Sequence, residues 1–167
     1  MKIVLQTSRL IIREFSTQDA QFIIKLLNTD GWLKYIGDRN VHSADDALKY
    51  IHKLNSYSIE NGFGFWAVEL KSTKNLIGLC GLIKRDELKH IDIGFAFLPI
   101  YTNQGFAFEA AQATLSFAYE QLKLDTIAAI TVPANVSSIK LIEKLGLKFK
   151  SEILIDDELL NYYEKNL

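Results

Sequence analysis

Between Phe63 and Leu98 apolar, β-branched and aromatic runs alternate with short polar breaks: "FGFWAVELK", "LIGLCGLIK" and "HIDIGFAFL" are separated by "STKN" and "RDELK". Runs of this length bounded by turn-forming residues predict three strands joined as hairpins. Upstream, "RLIIREF" (9–15) is a short β-prone run. It leads into Ser16 and, three residues on, Asp19, a capping-box pair that opens the helix "TQDAQFIIKLLN". The same pair returns at Ser43 and Asp46 before "ALKYIHKLNSYSIE", so a second helix is expected there.

Downstream of Leu98, Ala111, Leu115, Ala118 and Leu122 fall on one helical face, and "TIAAITV" follows as a strand. A strand, helix and strand of this length form a crossover, which makes the strands ending near Leu98 and Val132 parallel neighbours. Asn135 is a good N-cap for "VSSIKLIEKL", Gly146 closes that helix, and "LKFKSEILI" and "LNYYEKNL" end the chain as two strands around the acidic turn "DDE". The pattern predicts an α/β (α+β) fold with about four helices and a parallel strand pair at the middle of its sheet.

Length and composition narrow the picture. A chain of 167 residues with 49% hydrophobic and 23% charged side chains suits one globular domain spanning 1–167. No repeat, low-complexity tract or linker interrupts it, and Pro99 and Pro133 are its only prolines. No apolar run reaches the roughly 18 to 20 residues of a membrane span, and the opening "MKIVLQTSRL" turns polar too early for a secretory signal, so a cytoplasmic protein with no membrane partner is expected. Nineteen basic against twenty acidic residues leave a net charge of −1, without the field that gathers nucleic acid. Cys80 has no second cysteine to pair with, and His42, His52 and His90 lack metal-ligand spacing, so no metal is expected.

One loop changes the picture. In "LPIYTNQGFAFEAAQ" a strand ending at Leu98 and a helix beginning near Gly105 leave a short connection at the carboxyl edge of the sheet, where ligands of open α/β folds sit. The first amides of that helix lack intrahelical partners and carry the positive end of its dipole, a ready place for phosphate. Gly105 lets the backbone approach such a ligand, and uncharged Thr102, Asn103 and Gln104 add hydrogen bonds. The plainer alternative is that Gly105 only starts a helix. No Lys or Ser/Thr follows it, which excludes a P-loop kinase.

The stretch "IDIGFAFLPIYTNQGFAFEAAQATLSFAYEQLKLDTIAAITVPANVSSIKLIEKLGLKF" resembles the core of the GCN5-related N-acetyltransferases (GNAT), and looks closest to the RimJ/RimL-like subgroup that acetylates ribosomal-protein N-termini. "TSRLIIREFSTQDA" and "IDDELLNYYEKN" are similar to that subgroup's opening strand and helix and to its closing hairpin, so the resemblance covers essentially the whole chain. It implies a mixed, mostly antiparallel sheet with a splayed parallel pair, and acetyl-CoA as cosubstrate. The family's pyrophosphate loop, Gln/Arg-x-x-Gly-x-Gly/Ala, is matched by Thr102, Asn103, Gln104, Gly105, Phe106 and Ala107, with Thr102 departing from the usual first residue. Because that loop binds mainly through backbone amides, the departure weakens the site more than it abolishes it.

By the same resemblance the backbones of Phe97 and Leu98 hold the pantetheine arm, Asn135 contacts the cofactor besides capping its helix, and Ser138 lies near the thiol, able to protonate or hydrogen-bond the departing sulfur. Asp92 matches an acidic residue that is a candidate base acting through water; its alternative is a solvated strand-edge carboxylate, and His90 is a back-up base. Where many members have a tyrosine acid this chain has Ile142. A thiol pKa of about 8.5 lets coenzyme A leave as thiolate without it. Cys80 reads as core, an amide near Phe95 to Phe97 as the oxyanion donor, and Trp32, Tyr35, Tyr57 and Trp66 as aromatics available to wall an acceptor cleft.

The implied activity is transfer of acetyl from acetyl-CoA to a primary amine, a protein N-terminal α-amine or a small molecule, by direct attack in a ternary complex, in a monomer or homodimer. A non-catalytic acyl-CoA-binding sensor or scaffold is the alternative, and another acyl group such as succinyl a third.

Overall fold

The computed structural model describes residues 2–167. Eight strands form one sheet: β1 (Ile3–Gln6), β2 (Leu10–Arg13), β3 (Phe65–Leu70), β4 (Leu76–Ile83), β5 (Asp92–Phe97), β6 (Thr126–Thr131), β7 (Lys148–Ile155) and β8 (Glu158–Asn166). Five α-helices accompany them: α1 (Ala20–Leu27), α2 (Asp30–Tyr35), α3 (Ala44–Asn61), α4 (Phe106–Glu120) and α5 (Val136–Lys144). The strand order is β1-β2-β3-β4-β5-β6-β8-β7, antiparallel at every step except β5 to β6, which run parallel across the α4 crossover.

The expected mixed sheet and central parallel pair are therefore present, with one helix more than the four anticipated. The extra helix, α2, has six residues, includes Gly31, and depends on Thr29 Oγ1 accepting from the Trp32 amide at 3.4 Å. That is too short for a helical period to show in sequence. The capping boxes at Ser16/Asp19 and Ser43/Asp46 both form, the first opening a 3-10 turn (Thr17–Asp19) that runs into α1.

Two cores lie on opposite faces of the sheet. Trp66, Val68, Ile77, Cys80, Leu82 and Ile93 meet α4 and α5 through Ala111, Leu115, Ala118 and Ile142 on one side. On the other, Ala67, Leu79 and Leu98 meet Ile23, Leu26 and Leu27 of α1 and Ala47 and Ile51 of α3. The two-residue alternation of β3, β4 and β5 sorts side chains between the layers, except at Ile77, where a register shift against β3 skips one residue of β4 and turns Ile77 to the face opposite Leu79.

Near the second core, the Arg13 guanidinium binds Asp19 through Nη1 and Nη2 (2.8 and 3.0 Å) and Glu69 through Nε (2.9 Å), all three residues being buried. Burial alone would lower the Arg13 pKa, but the two carboxylates outweigh it and raise it. This triad ties β2, the entry to α1 and β3 together.

Candidate active site

β5 and β6 meet at one bridge, Asp92 opposite Ala128, reinforced by the Ala128 amide donating to the Ile91 carbonyl at 2.9 Å. Past it the described residues form no further pairing between the two strands. The phase of the β4–β5 ladder decides which amides face the gap. Leu98 donates to the Ile77 carbonyl at 2.9 Å, and Leu79 lies opposite Ala96, so alternate residues Ala96 and Leu98 point their amides at β4. The amides of Phe95 and Phe97 point the other way, toward the gap.

The Phe97 amide therefore faces the gap, and the Leu98 amide does not. The latter is consumed by β4, and the Leu98 side chain, 3% exposed, sits in the core between sheet and helices. Leu98 anchors the strand and has no free backbone donor for a pantetheine arm.

A cleft of about 660 Å³ opens along this gap. Its floor is Phe95, Ala96 and Phe97, and one end is the loop at Thr102, Asn103, Gly105, Phe106 and Ala107. Asn103 (φ 58°) and Gly105 (φ 80°) are both left-handed, and the loop is stapled to the preceding turn: Thr102 Oγ1 donates to the Pro99 carbonyl at 2.8 Å and Gln104 Nε2 to the Ile100 carbonyl at 2.9 Å. Gln104 is thus turned away and does not line the cleft; it shapes the loop. Gly105 is the N-cap of α4, and among the described residues no side chain caps that helix, so its first amides remain available to a ligand.

The opposite rim is α5. Asn135 Oδ1 accepts from the Ser138 amide at 3.2 Å, and both residues border the cleft. So do Lys140 and Lys144, one turn apart, with Lys144 Nζ 4.6 Å from the centre of the Phe108 ring. The sequence reading passed over these lysines, although their spacing of four on the Asn135 helix was visible. Among the described residues no carboxylate lines the cleft. With a net charge of −1 overall, the protein presents only cations here, a field suited to phosphates. Trp32 and Tyr35 of α2 form a further wall. Trp66, 1% exposed, belongs to the core, and the Tyr57 hydroxyl accepts from the Lys84 amide at 2.7 Å.

Asp92 lies apart from this wall. It shares a strand face with Gly94 and Ala96, but at the paired end of β5, 2% exposed and bound to Arg85 Nε at 3.1 Å. Burial pushes its pKa up to about 6 against the pull of Arg85. Beside it, Tyr162 donates to Glu164 at 2.8 Å; burial, this bond and the charges of Glu164 and Asp92 raise the phenol's pKa. His90 Nε2 is 3.7 Å from Glu164. Asp92 is thus a buried carboxylate in a polar cluster rather than a solvated edge residue. Cys80 is fully buried, its thiol pushed up to about 12 by burial despite the nearby Thr114 hydroxyl, and Ile142 is in the core. No trio of His, Cys, Asp or Glu among the described residues is arranged for a metal.

A parallel pair with inward amides, ending on an uncapped helix N-terminus opposite the lysines of α5, suits a phosphate-bearing ligand. Residues 9–148 match the acetyltransferase (GNAT) domain family, and the chain belongs to it as an N-acetyltransferase. It is 30% identical over 146 residues to the uncharacterized N-acetyltransferase YoaA of Bacillus subtilis, covering 87% of this chain and 82% of that one. A GNAT acetyltransferase structure from Bacillus anthracis superposes with a TM-score of 0.81 at 27% identity, over 97% of both chains. RimL, a ribosomal L7/L12 α-N-protein acetyltransferase solved with coenzyme A, shares the fold with a TM-score of 0.84 at 12% identity, over 99% of this chain and 98% of that one. The GNAT fold binds acetyl-CoA, and the uncapped α4 amides, Gly105 and the lysines of α5 fit that donor. No helix among the described residues is long and apolar enough to cross a membrane.

Proposed function

We propose that the protein transfers acetyl from acetyl-CoA to a primary amine, a protein N-terminal α-amine or a small molecule, by direct attack within a ternary complex. The observation that carries this reading is the gap between β5 and β6, which leads from the Phe95 and Phe97 amides to the uncapped start of α4. Thr102, Asn103, Gly105, Phe106 and Ala107 hold the pyrophosphate, chiefly through backbone amides, with Lys140 and Lys144 offsetting its charge. The Phe97 backbone aligns the pantetheine arm, and the Phe95 amide is placed to meet charge developing on the acetyl oxygen.

The amine must be neutral to attack. An α-amine with pKa near 8 is partly so at neutral pH, whereas a lysine-type amine at about 10.4 needs more help. Asp92 is the candidate base, and it reaches the amine only through a water relay, since it is 2% exposed, outside the cleft lining and paired with Arg85. The Ser138 hydroxyl supports the departing sulfur from the rim of α5, and Asn135 orients that rim. Absence of acid from the cleft favours an acceptor with one amine over a polycation.

The test is calorimetric titration with acetyl-CoA and dephospho-CoA, followed by intact-mass assays against a panel of N-terminal peptides and small amines. Binding with acetyl-CoA-dependent mass gain of one acetyl on any amine supports the enzyme. Binding without turnover on the whole panel would leave a non-catalytic acyl-CoA sensor, the reading that Ile142 in place of an acid favours.

A further inference from the structure

The loop of left-handed residues needs something to hold it against the sheet, and the structure supplies it from about a hundred residues away. Glu109, in the first turn of α4, is gripped by the turn between β1 and β2. Its Oε1 accepts from the Thr7 hydroxyl (2.5 Å), the Ser8 hydroxyl (3.0 Å) and the Arg9 amide (3.0 Å), and its Oε2 accepts from Arg9 Nε (2.6 Å). Arg9 continues into the loop: Nη1 donates to the Gln104 carbonyl at 3.1 Å and the guanidinium lies 4.5 Å over the Phe106 ring. The turn is itself fastened to the far end of β3, by Lys71 N donating to the Arg9 carbonyl (2.9 Å) and Lys71 Nζ to the Thr7 carbonyl (2.5 Å).

We infer that Arg9 and Glu109 form a latch that positions the coenzyme's pyrophosphate loop, making them positioning residues for acetyl-CoA affinity although neither lines the main cleft. This rests on the reading of residues 102–107 as that loop. Two physical facts carry it. Arg9 bridges the loop backbone at Gln104 and the first helical turn at Glu109, alone in doing so among the described residues, so it sets the angle at which the free α4 amides meet an anion. Arg9 also neutralises Glu109. A bare carboxylate one turn inside a helix N-terminus would repel the phosphates those amides receive. Glu109 stays ionised across the working range: burial pushes its pKa up, but the four donors outweigh burial and hold it at about 2.

Glu109→Gln keeps an oxygen for Thr7 and Ser8 but turns an amide N–H₂ toward Arg9, breaking the charged link. Arg9→Lys keeps the charge and loses the fork that reaches both partners. If the latch positions the loop, each variant weakens CoA and dephospho-CoA by about ten-fold in calorimetry, the loss of one charge-assisted hydrogen bond. Affinity for pantetheine, which has no pyrophosphate, stays unchanged by ligand-observed NMR. The double variant is no worse than the poorer single one. Asp46→Asn, which removes the remote capping box of α3, serves as the stability control and lowers the melting temperature without moving CoA affinity.

Equal losses for pantetheine and CoA, or a CoA affinity that merely tracks melting temperature across all variants, would reduce the latch to a stabilising contact and overturn it. Tighter CoA binding by Glu109→Gln would overturn it too, leaving Glu109 as simple repulsion. No CoA binding by the native protein would instead overturn the loop assignment itself, so the two failures are distinct. Arg9→Lys, the milder change, answers the question should Glu109→Gln fail to fold.

Discussion

Asp92 is where stability and activity pull in opposite directions. The carboxylate is 2% exposed and its pKa stands at about 6 against an ordinary 3.8. Because the folded value lies above the unfolded one, the native state holds a proton that the unfolded chain has already released between about pH 4 and 6. Stability therefore falls as pH rises through that window and stays reduced above it. A shift of roughly two units at about 1.4 kcal/mol each puts the loss near 3 kcal/mol. Asp92→Asn removes the ionisation while keeping the shape, and frees Arg85, whose side chain is 34% exposed and can hydrate. The variant should be more stable than the native protein above pH 7 by about 1–3 kcal/mol, a rise of roughly 2–10 °C in melting temperature, with the two converging below pH 4. As the relay for the amine proton, the same change should lower kcat and remove its acidic limb near pH 6. Thermal melts from pH 3.5 to 8.5, paired with pH–rate profiles, check both halves. Parallel melting curves for the two proteins would refute the buried-acid reasoning, and an unchanged acidic limb would refute the relay.

Gly105→Ala forces an L side chain to φ 80° and brings its Cβ to 3.3 Å from Arg9 Nη2, so stability should fall by about 1–2 kcal/mol and CoA affinity by more than that of any surface control, read by thermal melts and calorimetry. Reversing Lys140 and Lys144 to Glu should weaken CoA about five-fold at low salt and progressively less as ionic strength rises, since both are exposed rim charges. Cys80, its thiol pushed up to about 12, should resist iodoacetamide at pH 8 in the native protein and react once urea unfolds it, with mass spectrometry counting the adduct.

Most of the fold was legible because its signals are local. Hydrophobic runs from Phe63 to Leu98 became β3, β4 and β5, both capping boxes formed, and the crossover through α4 made β5 and β6 parallel neighbours. The loop at Thr102 to Ala107 was visible through Gly105, whose left-handed backbone is a property glycine announces. Leu98 was misread because an amide's direction depends on the phase of its ladder with β4, which no residue of β5 encodes alone. The Gln104 side chain bonds within the loop, and that was not legible because its partner, the Ile100 carbonyl, is backbone.

The sequence by itself determined the strands, the helices and the crossover, since periodicity, caps and glycines act within a few residues of one another, and its resemblance to a known family carried the rest. Tertiary structure alone decided which amides face the gap and that Asp92 is sealed beside Arg85 instead of exposed at an edge. It also brought α2 in as a wall and placed Arg9 on Glu109. Those outcomes depend on pairings between segments up to a hundred residues apart, where distance and solvent exclusion, not residue type, set the energy of each contact.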